Sequence, residues 1–382
     1  MKYDTIVIGM GSMGSATAYQ LASRKCKVLG LEQFNIGHDL GSGHGINRII
    51  RLAYFEHSDY VPLLRRAYGL WRELQKLSGE RLLYLNGSLD VGPEDGIVVT
   101  GSLASCKGHR LKHESLDARQ LNRRYRGWRL PKSMAAVFQP QGGFVLCERA
   151  VIAYITAAQA LGADIRAREA VRHWEVRRNE VIVRTDRETY RAKRLVITAG
   201  AWASKLVNTL RARKLAEPQR QVLLWTQPKS AELFQLDNFP VFNLESPLGR
   251  FYGFPIFGIP GFKIGKYYHR REYAYPDTMD RECHPEDERV LREAIGEYFP
   301  AANGPTMAMK TCLFSNSPDK HFVLDRHPDF PQVSVAAGFS GHGFKFASVV
   351  GEIMADLALE GGSSRFPDLS LFRIQRPRVE SD

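Results

Sequence analysis

The chain opens on an apolar run, Thr5-Ile6-Val7-Ile8, and then changes to an Ala-rich stretch over 15–24. A short apolar run bounded by glycine predicts a buried strand, and the longer stretch behind it predicts a helix. A second strand over 27–31 ends on Glu32. Between Ser58 and Gly79, Leu63, Leu64, Ala67, Leu70, Trp71 and Leu74 recur at helical spacing, with Pro62 in the first turn. From 83 to 145 the pattern is irregular and strand-like, interrupted by one polar helix over 117–124. Helical spacing returns over 148–161. Alternation over 171–176 and 181–184, around the polar turn 177–180, predicts a β-hairpin. Another strand over 195–202 runs into a glycine turn. Residues 221–273, rich in aromatics, glycine and proline, predict a second sheet. An amphipathic helix over 286–298, a strand over 333–337, a glycine loop over 338–343 and a helix ending near 359 complete the pattern.

The first strand leads into Gly9-Met10-Gly11-Ser12-Met13-Gly14. Strand, glycine turn and helix in that order hold a dinucleotide pyrophosphate. Gly9 permits the tight turn, Gly11 lets backbone approach the phosphates, and Gly14 lets helix and strand pack closely. The helix N-terminus offers N–H groups to the anion, and Ser12 and Met13 in the turn before it are expected cofactor contacts. Glu32, about twenty residues on, is placed to accept from ribose hydroxyls. The chain therefore binds FAD or NAD. The strand over 195–202 returns to the same sheet, so the nucleotide domain is discontinuous. The expected architecture is α/β: a Rossmann-like domain of the two-dinucleotide-binding type and a mixed-sheet substrate domain. Expected boundaries are 1–78, 147–215 and 320–375 for the first, 79–146 and 216–319 for the second, and a tail over 376–382.

An apolar fraction of 44% over 382 residues is ample for a core. The net charge of +12 raises nucleic-acid binding. The basic residues are interleaved with acids, as in Glu175-Val176-Arg177-Arg178-Asn179-Glu180, which favours solvated faces and a field that attracts anionic ligands. Five widely spaced cysteines form neither a disulfide framework nor a CxxC metal site, and the eleven histidines include no HExxH pair, so no metal is expected. The most apolar segment, 249–265, is broken by Pro255 and Pro260, and no membrane span is expected. No secretory leader precedes the first strand, and the chain ends Val379-Glu380-Ser381-Asp382 without a peroxisomal tripeptide. A cytoplasmic monomer is the expectation that remains.

Candidate chemistry concentrates in three places. In the loop 41–51, Arg48 and Arg51 stand three apart, so on a helical turn both guanidinium groups project to one side, suiting a carboxylate or a reduced flavin. Lys263 is a cation in an apolar strand, read either as a solvated face or as a lysine turned in beside a cofactor. Cys312 lies in an alternating strand, where a buried small hydrophobe is the ordinary reading. The loop 338–343 can place N–H donors around an anion, with Lys345 after it. No GxSxG elbow, Walker A loop or EF-hand is present.

Taken together, the glycine motif, Arg48-Ile49-Ile50-Arg51, Tyr252-Gly253-Phe254-Pro255, Lys263-Ile264-Gly265, Cys312 and residues 338–346 resemble the monomeric sarcosine oxidase and N-methyltryptophan oxidase family nearly end to end. The resemblance implies FAD joined by a thioether from Cys312. It puts Lys263 near flavin N5, where its charge helps oxygen accept electrons. It also implies His44 and Arg48 beside the flavin ring, and Ser42, Gly341 and Gly343 among the cofactor contacts. Arg51 and Lys345 would grip a substrate carboxylate, with Tyr252 as an aromatic wall. The implied reaction oxidises a secondary amino acid to an imine that water hydrolyses, with oxygen reduced to hydrogen peroxide. Three positions depart from the family: Tyr267 stands where sarcosine oxidases carry a histidine, with His269 two places off. Phe314 replaces a tyrosine, and Asn47 replaces a threonine. A bulkier N-alkyl amino acid therefore stands beside sarcosine as the expected substrate, and a glutamate-dependent fructosyl amino acid site is disfavoured. The rival reading is a noncovalent oxidase or dehydrogenase of the glycine-oxidase type acting on primary amines.

Overall fold

The computed structural model describes residues 2–207 and 215–376; residues 377–382 of the expected tail lie outside them. Two eight-stranded sheets and one three-stranded sheet organise the described residues. In the first sheet the apolar strand Lys2–Ile8 is central, with Val28–Leu31 and Thr189–Ile197 parallel on its two sides. The strand expected over 195–202 to return to the nucleotide sheet does so as Thr189–Ile197, and Val333–Ala337 joins it in parallel. The expected hairpin forms between Val171–Arg177 and Glu180–Thr185. The helix Ser12–Ser23 lies over this sheet and packs against Ala347–Glu360.

The second sheet runs from the long strand Thr306–Asn316 through Glu217–Thr226, Phe262–Lys266 and Gly249–Phe254 to strands of the 88–139 region. Most of its pairings are antiparallel, while Val241–Ser246 meets Ser88–Pro93 in parallel. One face carries an aromatic core around Phe242, Phe262 and Phe299, covered by the helix Pro285–Tyr298. The other face turns toward the first domain.

The two parts are joined where Thr306–Asn316 ends. Ser340 N donates to Ser315 O at 2.9 Å, Ser317 N donates to Ser340 Oγ at 3.1 Å, and Asn316 bridges to Phe339. Among the described residues no helix is long and apolar enough to cross a membrane.

Two elements differ from expectation. Residues Ile97–Gly108 form a helix, although Ile97, Val98, Val99 and Thr100 are β-branched and Gly101 is a weak helix former. Tertiary contact overrides propensity here. A Cβ on Gly101 would lie 2.7 Å from Phe55 O, so glycine lets the helix press onto the loop behind Arg51. Ser105 Oγ donates to Tyr54 O at 2.5 Å and fixes it there. The second difference is that Asn47–Ile50 is a strand, not a helical turn. Arg48 and Arg51 therefore project to different places.

Candidate active site

The glycine turn is built as the sequence predicts. Gly9 adopts φ +88°, and a Cβ there would lie 2.8 Å from Thr198 O. On Gly14 a Cβ would fall inside the Gly9 carbonyl, whereas on Gly11 it would meet nothing within 4 Å. Gly14→Ala should therefore push the helix off the strand; we expect loss of bound cofactor and a lower unfolding temperature, read by visible absorbance and thermal melting. The helix Ser12–Ser23 has no side-chain cap, so its first N–H groups face the cavity free for an anion. Glu32 spans the turn: its carboxylate accepts from Met10 N at 2.9 Å and Phe34 N at 3.0 Å. A ribose would share that carboxylate with the backbone.

One cavity runs from this turn to the second sheet, lined by Gly9, Gly11, Ser12, Met13 and Glu32 at one end and Ser42, Arg48, Phe314, Gly341 and Gly343 at the other. Its donors, its uncapped helix end and the empty space over Gly11 fit FAD. Cys312 sits at the far end, with its Sγ 3.4 Å from Arg48 Nη2. Arg48 is oriented by donating to Ser42 O at 3.0 Å and Asn47 O at 3.1 Å. His44 is buried nearby with neither ring nitrogen bonded; burial, then Arg48, lowers its pKa to about 3, so it is neutral.

Lys263 points inward and is 2% exposed, which rules out a solvated face. Its ammonium donates to Gly45 O, Asn47 O and Asn47 Oδ1, and lies 4.2 Å from the Phe254 ring centroid. Burial, then Arg48, pushes its pKa well below the ordinary lysine range.

Arg51 occupies a separate, fully buried nest. Nη2 donates to Glu56 Oε2 at 2.8 Å, Nε lies 3.6 Å from Asp90 Oδ1, and Nη1 donates to Ala53 O. The guanidinium lies between the rings of Tyr54 and Phe55, 4.6 and 4.5 Å from their centroids. Lys345 approaches the same Tyr54 ring at 5.3 Å and donates to His342 O at 2.8 Å. Burial, then Arg51, lowers the Lys345 pKa to about 7. Burial raises the Glu56 carboxyl, but Arg51 beside it outweighs this and holds it at about 2.

Tyr252, Tyr267 and Phe314 stand together as an aromatic wall. Tyr267 meets Tyr252 at 5.1 Å and Phe314 at 5.8 Å between ring centroids. His269 is turned away, with Nε2 3.2 Å from Asp287.

Arg48 thus lines one end of the cavity with Cys312 beside it and Lys263 bonded to the adjoining Gly45 and Asn47, and Arg51 with Lys345 forms the second cation group. The shared helical face expected for Arg48 and Arg51 is wrong: residues three apart on an extended chain face opposite ways. Glu56, Asp90 and Glu148 escaped the sequence reading. Asp90 carried the same signal as Lys263, a charge inside an apolar strand. Glu56 and Glu148 carried none, because their roles depend on chain folding back.

The family model for FAD-dependent oxidoreductases (DAO) matches residues 4–357. The chain is 39% identical to a monomeric sarcosine oxidase from Bacillus sp. (strain NS-129), covering 100% of this chain and 98% of that protein. It is 34% identical to an N-methyl-L-tryptophan oxidase from Salmonella dublin, covering 98% and 99%. The open form of NikD, an unusual amino acid oxidase essential for nikkomycin biosynthesis, superposes with a TM-score of 0.84 at 27% identity, covering 100% of this chain and 99% of that one. The chain is thus a FAD-dependent oxidoreductase of the DAO family and belongs to the monomeric sarcosine oxidase group within it.

Proposed function

We propose that this chain oxidises N-methyl and other secondary amino acids, with FAD attached through Cys312 and oxygen as the electron acceptor. The observation that carries the reading is the buried pair Arg51 and Lys345, both beside the Tyr54 ring, with Arg51 already holding a carboxylate, that of Glu56. A substrate carboxylate would replace Glu56 there. FAD, held by the glycine turn and Glu32 at one end and by Cys312 at the other, would supply a two-electron acceptor for the amine carbon that oxygen can reoxidise.

The protein's own residues bind and orient. Arg51 and Lys345 fix the carboxylate end, so the amine points toward the wall of Tyr252, Tyr267 and Phe314. These rings exclude water and favour the uncharged amine, whose lone pair is needed as the C–H bond breaks. Arg48 lies close enough to Cys312 to offset negative charge on the sulfur when the tether forms. Lys263 offers a fixed positive charge to electrons passing to oxygen. The strands of the first sheet, within 2–31, 164–197 and 323–337, support a FAD-binding part made of 1–78, 147–215 and 320–375. Those of the second, within 88–139 and 217–316, support a substrate part made of 79–146 and 216–319.

Anaerobic mixing with a panel of N-alkyl amino acids tests the reading. Bleaching of the flavin bands by secondary amines, and not by their primary counterparts, is the expected result; the reverse order would favour the glycine-oxidase type. Acid precipitation tests the tether. Flavin should stay in the pellet of the native protein and appear in the supernatant of Cys312→Ser; release from both would remove the thioether.

A further inference from the structure

Lys263 has three acceptors, and one of them is a side chain. Nζ donates to Gly45 O at 2.7 Å, Asn47 O at 2.9 Å and Asn47 Oδ1 at 2.8 Å, which engages every N–H of an ammonium. The two carbonyls come from a turn with little slack. Gly45 has φ +89° and Ile46 has φ +76°, and Asn47 N donates back to Gly45 O at 3.0 Å. A β-branched residue at positive φ is strained and persists only where its surroundings force it. Here they do: Glu148 accepts from Gly45 N at 2.7 Å and from Ile46 N at 3.2 Å on the far side of the turn. The turn is clamped between a carboxylate and an ammonium.

We propose that Asn47 is a positioning residue for Lys263: its side-chain carbonyl closes a three-acceptor cage that keeps the buried amine charged and aimed, so residue 47 sets the oxygen step. The inference rests on the reading of Lys263 given above and names the device behind it. Charged and titratable neighbours act in both directions. Arg48, on the strand Asn47–Ile50, disfavours the ammonium, while Glu148 on the helix Cys147–Ala160 favours it; burial raises the Cys147 thiol to about 12 and leaves it neutral, and Cys312 carries no charge once joined to FAD. His44 is neutral, and Trp225 and Phe254 offer ring faces at 5.3 and 4.2 Å. Burial outweighs the favourable neighbours, and an acceptor bonded to the charged form opposes burial. Asn47 is 1% exposed, so water has little room to replace its oxygen.

The test compares Asn47→Ala, Asn47→Thr and Lys263→Met in the full-length, FAD-loaded protein. The flavin midpoint potential and the rate of reoxidation by oxygen are read at pH 6 and pH 9. A nearby positive charge raises the potential, so Lys263→Met sets the floor. Asn47→Ala should match the native protein at pH 6, where protonation of the amine is most favoured. At pH 9 its potential should fall to that of Lys263→Met and its reoxidation slow by about tenfold or more. Asn47→Thr, with a hydroxyl acceptor, should stay near the native values at both. Should the alanine variant fail to hold FAD, Asn47→Val against Asn47→Thr makes the same comparison at equal volume. Native potential and native reoxidation at pH 9 in the alanine or valine variant would overturn the proposal. Native reoxidation in Lys263→Met would instead overturn the role of the lysine, whatever residue 47 does.

Discussion

Lys263→Met is expected to slow reoxidation of the substrate-reduced enzyme by about 10²–10³-fold, while anaerobic reduction by substrate changes by about threefold or less. The asymmetry follows from position. The lysine lies on Phe262–Lys266, between Trp225 and Phe254, and its three acceptors belong to the loop and strand that carry Arg48. The carboxylate-holding cations are elsewhere, with Arg51 paired to Glu56 and Asp90. Methionine fills a similar volume and removes the charge with its three bonds to the 45–47 turn, which Glu148 still holds from Gly45 N and Ile46 N, so substrate binding should survive. Stopped-flow measurement of the two half-reactions separates the outcomes. Equal losses in both would show that the lysine supports the site as a whole.

Arg51→Ala should carry the next largest effect, on binding and on stability together. Removing the guanidinium leaves two buried carboxylates, Glu56 and Asp90, without their cation, a loss of about 3–5 kcal/mol. The apparent KM should rise by about 10²-fold, since a carboxylate would then meet two acids and Lys345 alone. The acid limb of stability should move as well. Glu56 titrates at about 2 in the folded protein, below the unfolded value of about 4.3. Its contribution is therefore fully present above that unfolded value and is lost as pH falls through about 2. Without Arg51, the largest opposition to burial at Glu56 is gone and Lys345, His342 and Arg250 remain, so acid unfolding should begin at a higher pH. An unchanged KM would place the substrate carboxylate elsewhere; an unchanged acid midpoint would show that Glu56 has another partner. Arg51→Ala with Glu56→Gln should recover part of the lost stability and none of the lost binding.

The legible part of this molecule was the part written in local pattern. The glycine turn, the hairpin around residues 177–180, the strand Val333–Ala337 and the helix Pro285–Tyr298 each follow from a few adjacent residues, and each formed where expected. The helix Ile97–Gly108 did not show, because its residues favour a strand and its stability comes from contact with the 54–56 segment. The pair Arg48 and Arg51 misled for a related reason. A spacing of three signals one face only if the chain is helical, and pairing of Asn47–Ile50 with Gly143–Leu146 made it extended. The carboxylates opposite the cations were hidden most completely. Glu148 lies about a hundred residues from the turn it clamps, so no window along the chain contains both.

The seam at the end of Thr306–Asn316 limits how the two sheets can move against each other. Ser340 N is bonded to Ser315 O and Ser317 N to Ser340 Oγ, with Asn316 bridged to Phe339 between them, so the two sheets are tied at this edge. Any swing of one sheet against the other would turn about that edge, which acts as the fixed side of a hinge.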